Sequence, residues 1–216
     1  MAASEVISSE CSAVFDGAVL AGGASRRMGT DKAFIEIGDT TLLQGAASAL
    51  YGSGASSVIV VGGDARRVQR LGLRHVVDSW PSEGPLGGII TALQNTSAET
   101  AAVLACDLTR PSAEAITAVR QALGEADVSV PVVNGQAEWL HAVWRRSALE
   151  KLERSFAAGE RAPRRAVDEL RVKQFLGGDP RWFHDADYPD DLPGGGQQVH
   201  GFNRTRRYSD SPPKSL

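Results

Sequence analysis

The chain has 216 residues, 42% of them hydrophobic and 23% charged, which are the proportions of a chain that buries a core, and its length suits one α/β domain. A formal net charge of −3 excludes the basic field needed for sequence-indifferent nucleic-acid binding. No apolar run approaches the ~20 residues of a membrane span, and Cys11 and Cys106 form neither a disulfide framework nor a zinc spacing, so a reducing cytoplasm is the expected setting.

Residues 1–14 are rich in Ser, Ala and Glu and hold no Lys or Arg, so they read as a flexible leader rather than a signal peptide. Short apolar runs follow at 14–21, 57–61, 75–77, 101–106 and 128–133. Several are continuous rather than alternating, which marks strands covered on both faces and hence a parallel sheet. Between them, 41–50, 65–71, 87–94 and 112–123 have helical spacing. Glu138-Trp139-Leu140-His141 is strand-like, and His141 there reads as a packed core histidine rather than a catalyst. Ser147-Ala148-Leu149-Glu150 has the spelling of a capping box and predicts a helix to about residue 158, with Gly159 as its stop. From Pro193-Gly194-Gly195-Gly196 onward the chain is too poor in apolar surface to offset ordering entropy, which predicts a disordered tail over 193–216. The folded domain is therefore expected over 15–192. Strand–helix alternation predicts a doubly wound, three-layer α/β/α fold with a mostly parallel, Rossmann-like sheet. Such folds bind ligands outside the carboxyl ends of their strands.

The first strand runs into Leu20-Ala21-Gly22-Gly23-Ala24-Ser25-Arg26-Arg27-Met28-Gly29-Thr30-Asp31-Lys32, a long Gly-rich loop with three cations. Glycines allow close backbone approach and aim N–H groups at phosphate oxygens. Arg27 as a fork and Lys32 as a point charge can neutralise a polyphosphate. Lys32 lies between Asp31 and Ala33, so this is not a Walker loop, and Gly22-Gly23 lacks the third glycine of a dinucleotide fingerprint.

The spelling Leu-Ala-Gly-Gly-x-Ser-x-Arg-Met-Gly-x-Asp-Lys resembles the opening motif of the molybdenum cofactor guanylyltransferases, within the wider sugar-nucleotide-like nucleotidyltransferases. The likeness continues through Ser82-Glu83-Gly84-Pro85-Leu86-Gly87-Gly88-Ile89, similar to the family's Gly-Pro-Leu-x-Gly segment. Ala105-Cys106-Asp107 resembles its metal-binding Cys-Asp, and Asp185-Ala186-Asp187-Tyr188-Pro189-Asp190-Asp191-Leu192 its closing segment. The resemblance implies backbone contacts to the nucleotide from Leu20, Ala21 and Gly22 beside Gly23. It implies phosphate contacts from Lys32 and Arg27, and a guanine contact from Asp78. Asp107 would hold Mg²⁺, with Asp187 as the candidate second carboxylate and Asp185 beside it.

From the residues themselves, Asp107 could otherwise cap a following helix. Asp78 could simply start the turn before Ser79 and Pro81, and the run 185–191 could be solvated surface. The sequence departs from the family where Leu108-Thr109-Arg110-Pro111 displaces a proline, where Gly62 or Gly63 replaces an asparagine, and around Glu138–His141.

The implied reaction is transfer of GMP from GTP to molybdenum-carrying molybdopterin with release of pyrophosphate, and apo-molybdoenzymes or their chaperones would be the recipients. Alternatives of the same fold are a molybdopterin cytidylyltransferase or a phospholactate guanylyltransferase. A non-catalytic nucleotide-binding adaptor is the alternative of another class, and it would have no need of Asp107 beside the loop.

Overall fold

The structure, a computed structural model, describes residues 14–22 and 31–183. The expected leader up to residue 13, the tail, Gly23, Arg27, Asp185 and Asp187 lie outside the described residues.

In chain order the strands are β1 (Phe15–Leu20), β2 (Glu36–Ile37), β3 (Thr40–Thr41), β4 (Val58–Val61), β5 (Arg74–Val76), β6 (Thr100–Ala105), β7 (Val128–Val133), β8 (Gln136–Ala137), β9 (His141–Arg145) and β10 (Val172–Phe175). The helices are α1 (Leu42–Gly52), α2 (Ala65–Arg70), α3 (Pro85–Asn95), α4 (Ala113–Ala122), α5 (Leu149–Ala157) and α6 (Pro163–Ala166). The main sheet has the order β10-β7-β9-β6-β1-β4-β5, with β8 added to β7. Pairing is parallel from β6 through β1 and β4 to β5 and between β7 and β10, while β9 runs against both its neighbours.

Every residue of β1, β4 and β6 is buried, as continuous apolar runs require in a sheet covered on both faces. Alternation divides the side chains between two cores. Phe15, Val19, Val58 and Val60 meet Leu43, Leu50 and Ile116 of α1 and α4 on one face. Ala18, Leu20, Ile59 and Val61 meet Leu86, Ile89, Leu93 and Leu152 of α3 and α5 on the other. Each such buried Leu or Ile contributes roughly 1.5–3 kcal/mol. The predicted three-layer α/β/α fold is what forms.

Helix starts show where local chemistry was read correctly and where it was not. The capping box of this chain is at α1: Gln44 N–H donates to Thr41 Oγ1 (3.2 Å) and Thr41 N–H to Gln44 Oε1 (3.0 Å). The box expected at Ser147 is absent. Residues Arg146–Ala148 form a 3-10 turn, anchored by Arg146 N–H on the Glu99 carbonyl (2.8 Å), and α5 begins at Leu149 without a side-chain cap. Ser147 is thus already inside a helical turn, whereas a capping residue must be extended. The helix ends as expected, at Gly159 with φ +99°.

The direction of β9 follows from a turn. Asn134 (φ 51°) and Gly135 (φ 80°) reverse the chain between the paired residues Val133 and Gln136, as a two-residue hairpin with both central φ positive. His141 on β9 is 4% exposed and stacks beside Phe183 with ring centroids 6.1 Å apart, a core histidine as the sequence suggested. Among the described residues no helix is long and apolar enough to cross a membrane.

Candidate functional site

The chain winds from β1 through β4 to β5 on one side, then crosses by α3 to place β6 on the other side of β1. The winding therefore reverses between β1 and β6, and that switch point is where doubly wound folds take ligands. Leu20, the last residue of β1, is in register with Val61 ending β4 and with Ala105 ending β6. These three strand ends form the floor of a cleft of about 380 Å³. Ala21, Gly22, Asp31, Lys32, Asp78 and Asp107 rise around it, and Ser82, Gly84, Pro85 and Gly88 form one wall.

Two glycines shape the entry of the Gly-rich loop. Gly62 (φ +76°) and Gly63 (φ +71°) follow β4 in the left-handed region, where a side chain is strained. A Cβ on Gly62 would lie 3.2 Å from Gly22 Cα, and one on Gly63 would lie 3.1 Å from the Ala21 Cβ. The departure from asparagine at this position thus leaves room for the loop backbone. Gly62→Ala is expected to cost about 1–2 kcal/mol and to displace Gly22; a lowered Tm together with weakened GTP binding checks it.

The wall is the first turn of α3. Pro85 sits at its first position, and Gly84 (φ +92°) precedes it with no side-chain cap. Gly88 lets the helix settle on β1, since a Cβ there would lie 3.1 Å from the Leu20 side chain. Arg161 braces this wall from outside. Its guanidinium pairs with Glu83 (2.8 Å) and lies 3.9 Å from the centre of the Phe156 ring, and its carbonyl accepts the Leu86 N–H (3.3 Å).

Among the described residues four charged side chains line the cleft, Asp31, Lys32, Asp78 and Asp107, and two of them pair. Lys32 Nζ donates to Asp107 Oδ2 at 3.3 Å, with side-chain exposures of 15% and 22%. Asp31 caps the short 3-10 turn Lys32–Phe34 by accepting the Ala33 N–H (3.3 Å), which fixes the backbone from which Lys32 projects. Asp107 lies two residues past the end of β6, and it is not the cap of the helix that follows: the N-cap of α4 is Ser112, whose hydroxyl accepts the Ala115 N–H. Cys106 beside it is no nucleophile. Burial pushes its thiol well above the ordinary range, and the Asp107 and Asp31 carboxylates push the same way.

Asp78 forms the turn that its sequence context allowed, and it also lines the cleft. Its Oδ1 accepts the Trp80 N–H (3.0 Å), the turn-forming role, while Oδ2 lies 3.5 Å from where a Cβ on Gly22 would stand, on the cleft side. The structure thus gathers Leu20, Ala21, Gly22, Lys32, Asp78 and Asp107 at one cleft. Gly23, Arg27 and Asp187 fall outside the described residues. The sequence reading did not single out Asp31, Ser82 or Leu140 as lining residues. Each stood in a segment quoted above, Asp31 in 20–32, Ser82 in 82–89 and Leu140 in 138–141, and the fold brings all three to the cleft, with Ser82 at φ 68°.

A cleft of this composition at the switch point of a doubly wound sheet is the site of a nucleotide-handling α/β protein. The sequence profile of the MobA-like NTP transferase domain matches residues 17–174. A probable molybdenum cofactor guanylyltransferase of Chloroflexus aggregans is 38% identical over 162 residues, covering 73% of this chain and 78% of the relative. A probable molybdenum cofactor guanylyltransferase of Opitutus terrae is 36% identical over 157 residues, 71% of this chain and 78% of its own length. Among solved structures, molybdopterin-guanine dinucleotide biosynthesis protein A from Archaeoglobus fulgidus shares the fold with a TM-score of 0.67 at 24% identity, covering 82% of this chain and 94% of its own. This chain belongs to the MobA-like NTP transferase domain family.

Proposed function

We propose that the chain transfers GMP from GTP to the terminal phosphate of a molybdopterin-type acceptor carrying molybdenum, releasing pyrophosphate, and that it does so in the cytoplasm, with apo-molybdoenzymes or their chaperones receiving the product. The observation that carries the reading is the Lys32–Asp107 pair standing at the switch-point cleft between β1 and β6, opposite Asp78.

The acceptor phosphate attacks the α-phosphorus of GTP, one P–O bond forms, and the bond to the β-phosphate oxygen breaks. A phosphate monoester is already a nucleophile near neutral pH, so the protein's work is positioning and charge stabilisation. The backbone of Leu20, Ala21, Gly22 and Gly23 lies against the nucleotide. Lys32, with Arg27, places positive charge on the phosphates. Asp78 accepts from the guanine edge through the oxygen that its turn leaves on the cleft side.

Asp107 would hold a divalent ion, for which its chemistry fits: a partly exposed carboxylate oxygen beside a polyphosphate site. Magnesium suits one or two carboxylates with phosphate oxygens and water completing its shell, and Asp187 is the candidate second ligand. When bound, the ion supplies neutralisation of the charge that develops toward pyrophosphate. Without nucleotide, Lys32 and Asp107 pair with each other, and an arriving magnesium–triphosphate offers each a partner of opposite charge.

Calorimetry tests the reading. GTP is expected to bind more tightly than CTP or ATP, with full affinity only in the presence of Mg²⁺, and transfer is read as pyrophosphate released with molybdopterin as acceptor. Tighter binding of CTP would move the chain to the cytidylyl branch. Binding without pyrophosphate release would make it an adaptor.

A further inference from the structure

Asp78 leaves the sheet at an exposed turn. Val77 before it is 75% exposed, and the residues from Pro81 to Gly84 are exposed as well. A carboxylate on such a segment discriminates between bases only if something rigid aims it. The structure supplies one such anchor outside the turn. Thr91 lies in the middle of α3 and is 0% exposed, and its single hydroxyl serves three groups. It accepts the Ser79 N–H (3.2 Å), and its one proton is shared between two acceptors, the Gly87 carbonyl one turn back (3.0 Å) and Asp78 Oδ1 (3.4 Å). Two consecutive turn residues, Asp78 through its carboxylate and Ser79 through its amide, are therefore fastened to one atom of a helix that is itself packed against β1 and β4.

From this geometry we propose that Thr91 is a positioning residue for base selection: by holding Asp78 Oδ1 against α3 it turns Oδ2 toward Gly22 and the cleft. The bond to Gly87 alone would be an ordinary helix back-bond of a buried threonine. The amide of Ser79 and the carboxylate of Asp78 on the same oxygen have no part in satisfying that helix. They link the sheet-end turn to the layer below it. Thr91 touches no substrate and acts through Asp78, so the proposal rests on the reading of Asp78 given above.

Thr91→Val keeps the shape of the side chain and removes the hydroxyl. The measurement is the ratio of GTP to ATP affinity by calorimetry on the full chain, with thermal melting alongside. Thr91→Val is expected to reduce that ratio by about fivefold or more, the scale of one ordinary hydrogen bond, while Thr91→Ser restores it. A hydroxyl that is merely structural would lower the melting temperature and leave the ratio untouched. If Thr91→Val does not fold, Thr91→Ala carries the same comparison. An unchanged ratio in the hydroxyl-free variant, with a reduced ratio in Asp78→Ala, overturns the role of Thr91 alone. An unchanged ratio in Asp78→Ala overturns base reading by Asp78, and the role of Thr91 with it.

Discussion

Replacing Asp107 by alanine is expected to reduce pyrophosphate release by about 10²-fold or more, the scale of losing one preorganised electrostatic element. The side chain follows a strand end, is not the cap of α4, and is partly exposed, so the melting temperature should fall little. Its loss also takes one carboxylate from Lys32, whose charge can still reach triphosphate. Asp107→Ala should therefore retain nucleotide binding better than it retains turnover, and part of the turnover should return at raised Mg²⁺ or with Mn²⁺. Lys32→Ala should behave in the opposite way, weakening GTP binding at every Mg²⁺ concentration. An Asp107→Ala enzyme that turns over normally at low Mg²⁺ would remove the metal assignment and most of the case for catalysis with it.

The largest expected effect on stability lies at the opposite end of the sheet. Asp16, the second residue of β1, is 2% exposed. It accepts from the hydroxyls of Ser56 (2.9 Å) and Ser57 (2.8 Å) and from the backbone N–H groups of Ser97 (2.8 Å) and Ala98 (3.0 Å). One carboxylate thus ties the entries to β1, β4 and β6 together. Burial alone would raise its pKa, but the amides of Ala98 and Ser97 and the hydroxyls of Ser57 and Ser56 outweigh it, and the native carboxyl titrates below the usual range. Asp16→Ala removes these four hydrogen bonds and is expected to cost roughly 2–6 kcal/mol, at about 0.5–1.5 kcal/mol for each bond lost.

The pH dependence has a definite sign. On acidification the unfolded chain takes up this proton first, near pH ~3.9. The contribution of Asp16 is therefore full above that pH and is lost as pH falls through the depressed native value. Urea melts of the wild type against Asp16→Asn between pH 7 and pH 3 check both points, and the gap between them should narrow on the acid side. Because this cluster is at the amino ends of the strands, GTP affinity of the folded variant should be unchanged.

The parts of this molecule that were legible in the sequence are those specified locally. Continuous apolar runs at β1, β4 and β6 gave a sheet buried on both faces, because burial on two sides leaves no position for alternation. The Gly-rich loop and Asp107 were legible because both follow such runs, and the ends of parallel strands are where this architecture presents chemistry. The reading at Ser147 went wrong because a four-residue spelling does not reveal that the preceding turn is already helical. The direction of β9 was encoded in Asn134-Gly135, a signal strong enough to have been used. Ser82 and Leu140 stood in segments that the resemblance had singled out, but only the packing of α3 and the return of β9 bring these particular residues to the cleft. Asp16 and Thr91 are polar residues in apolar settings, and their partners lie up to 82 positions away, where no local pattern reaches.

The antiparallel strand β9 also imposes an order of events on a chain made from its amino end. The sheet half β5-β4-β1-β6, with Leu20, Gly22, Asp78 and Asp107 at its edge, has all its strands once Ala105 has been synthesised. The next strand, β7, has no neighbour there. It joins the sheet only through the antiparallel β9, and its parallel partner, β10, is later still. On the ribosome, where folding proceeds from the amino terminus, the nucleotide half of the molecule can therefore assemble while β7 waits for a strand whose residues come after it.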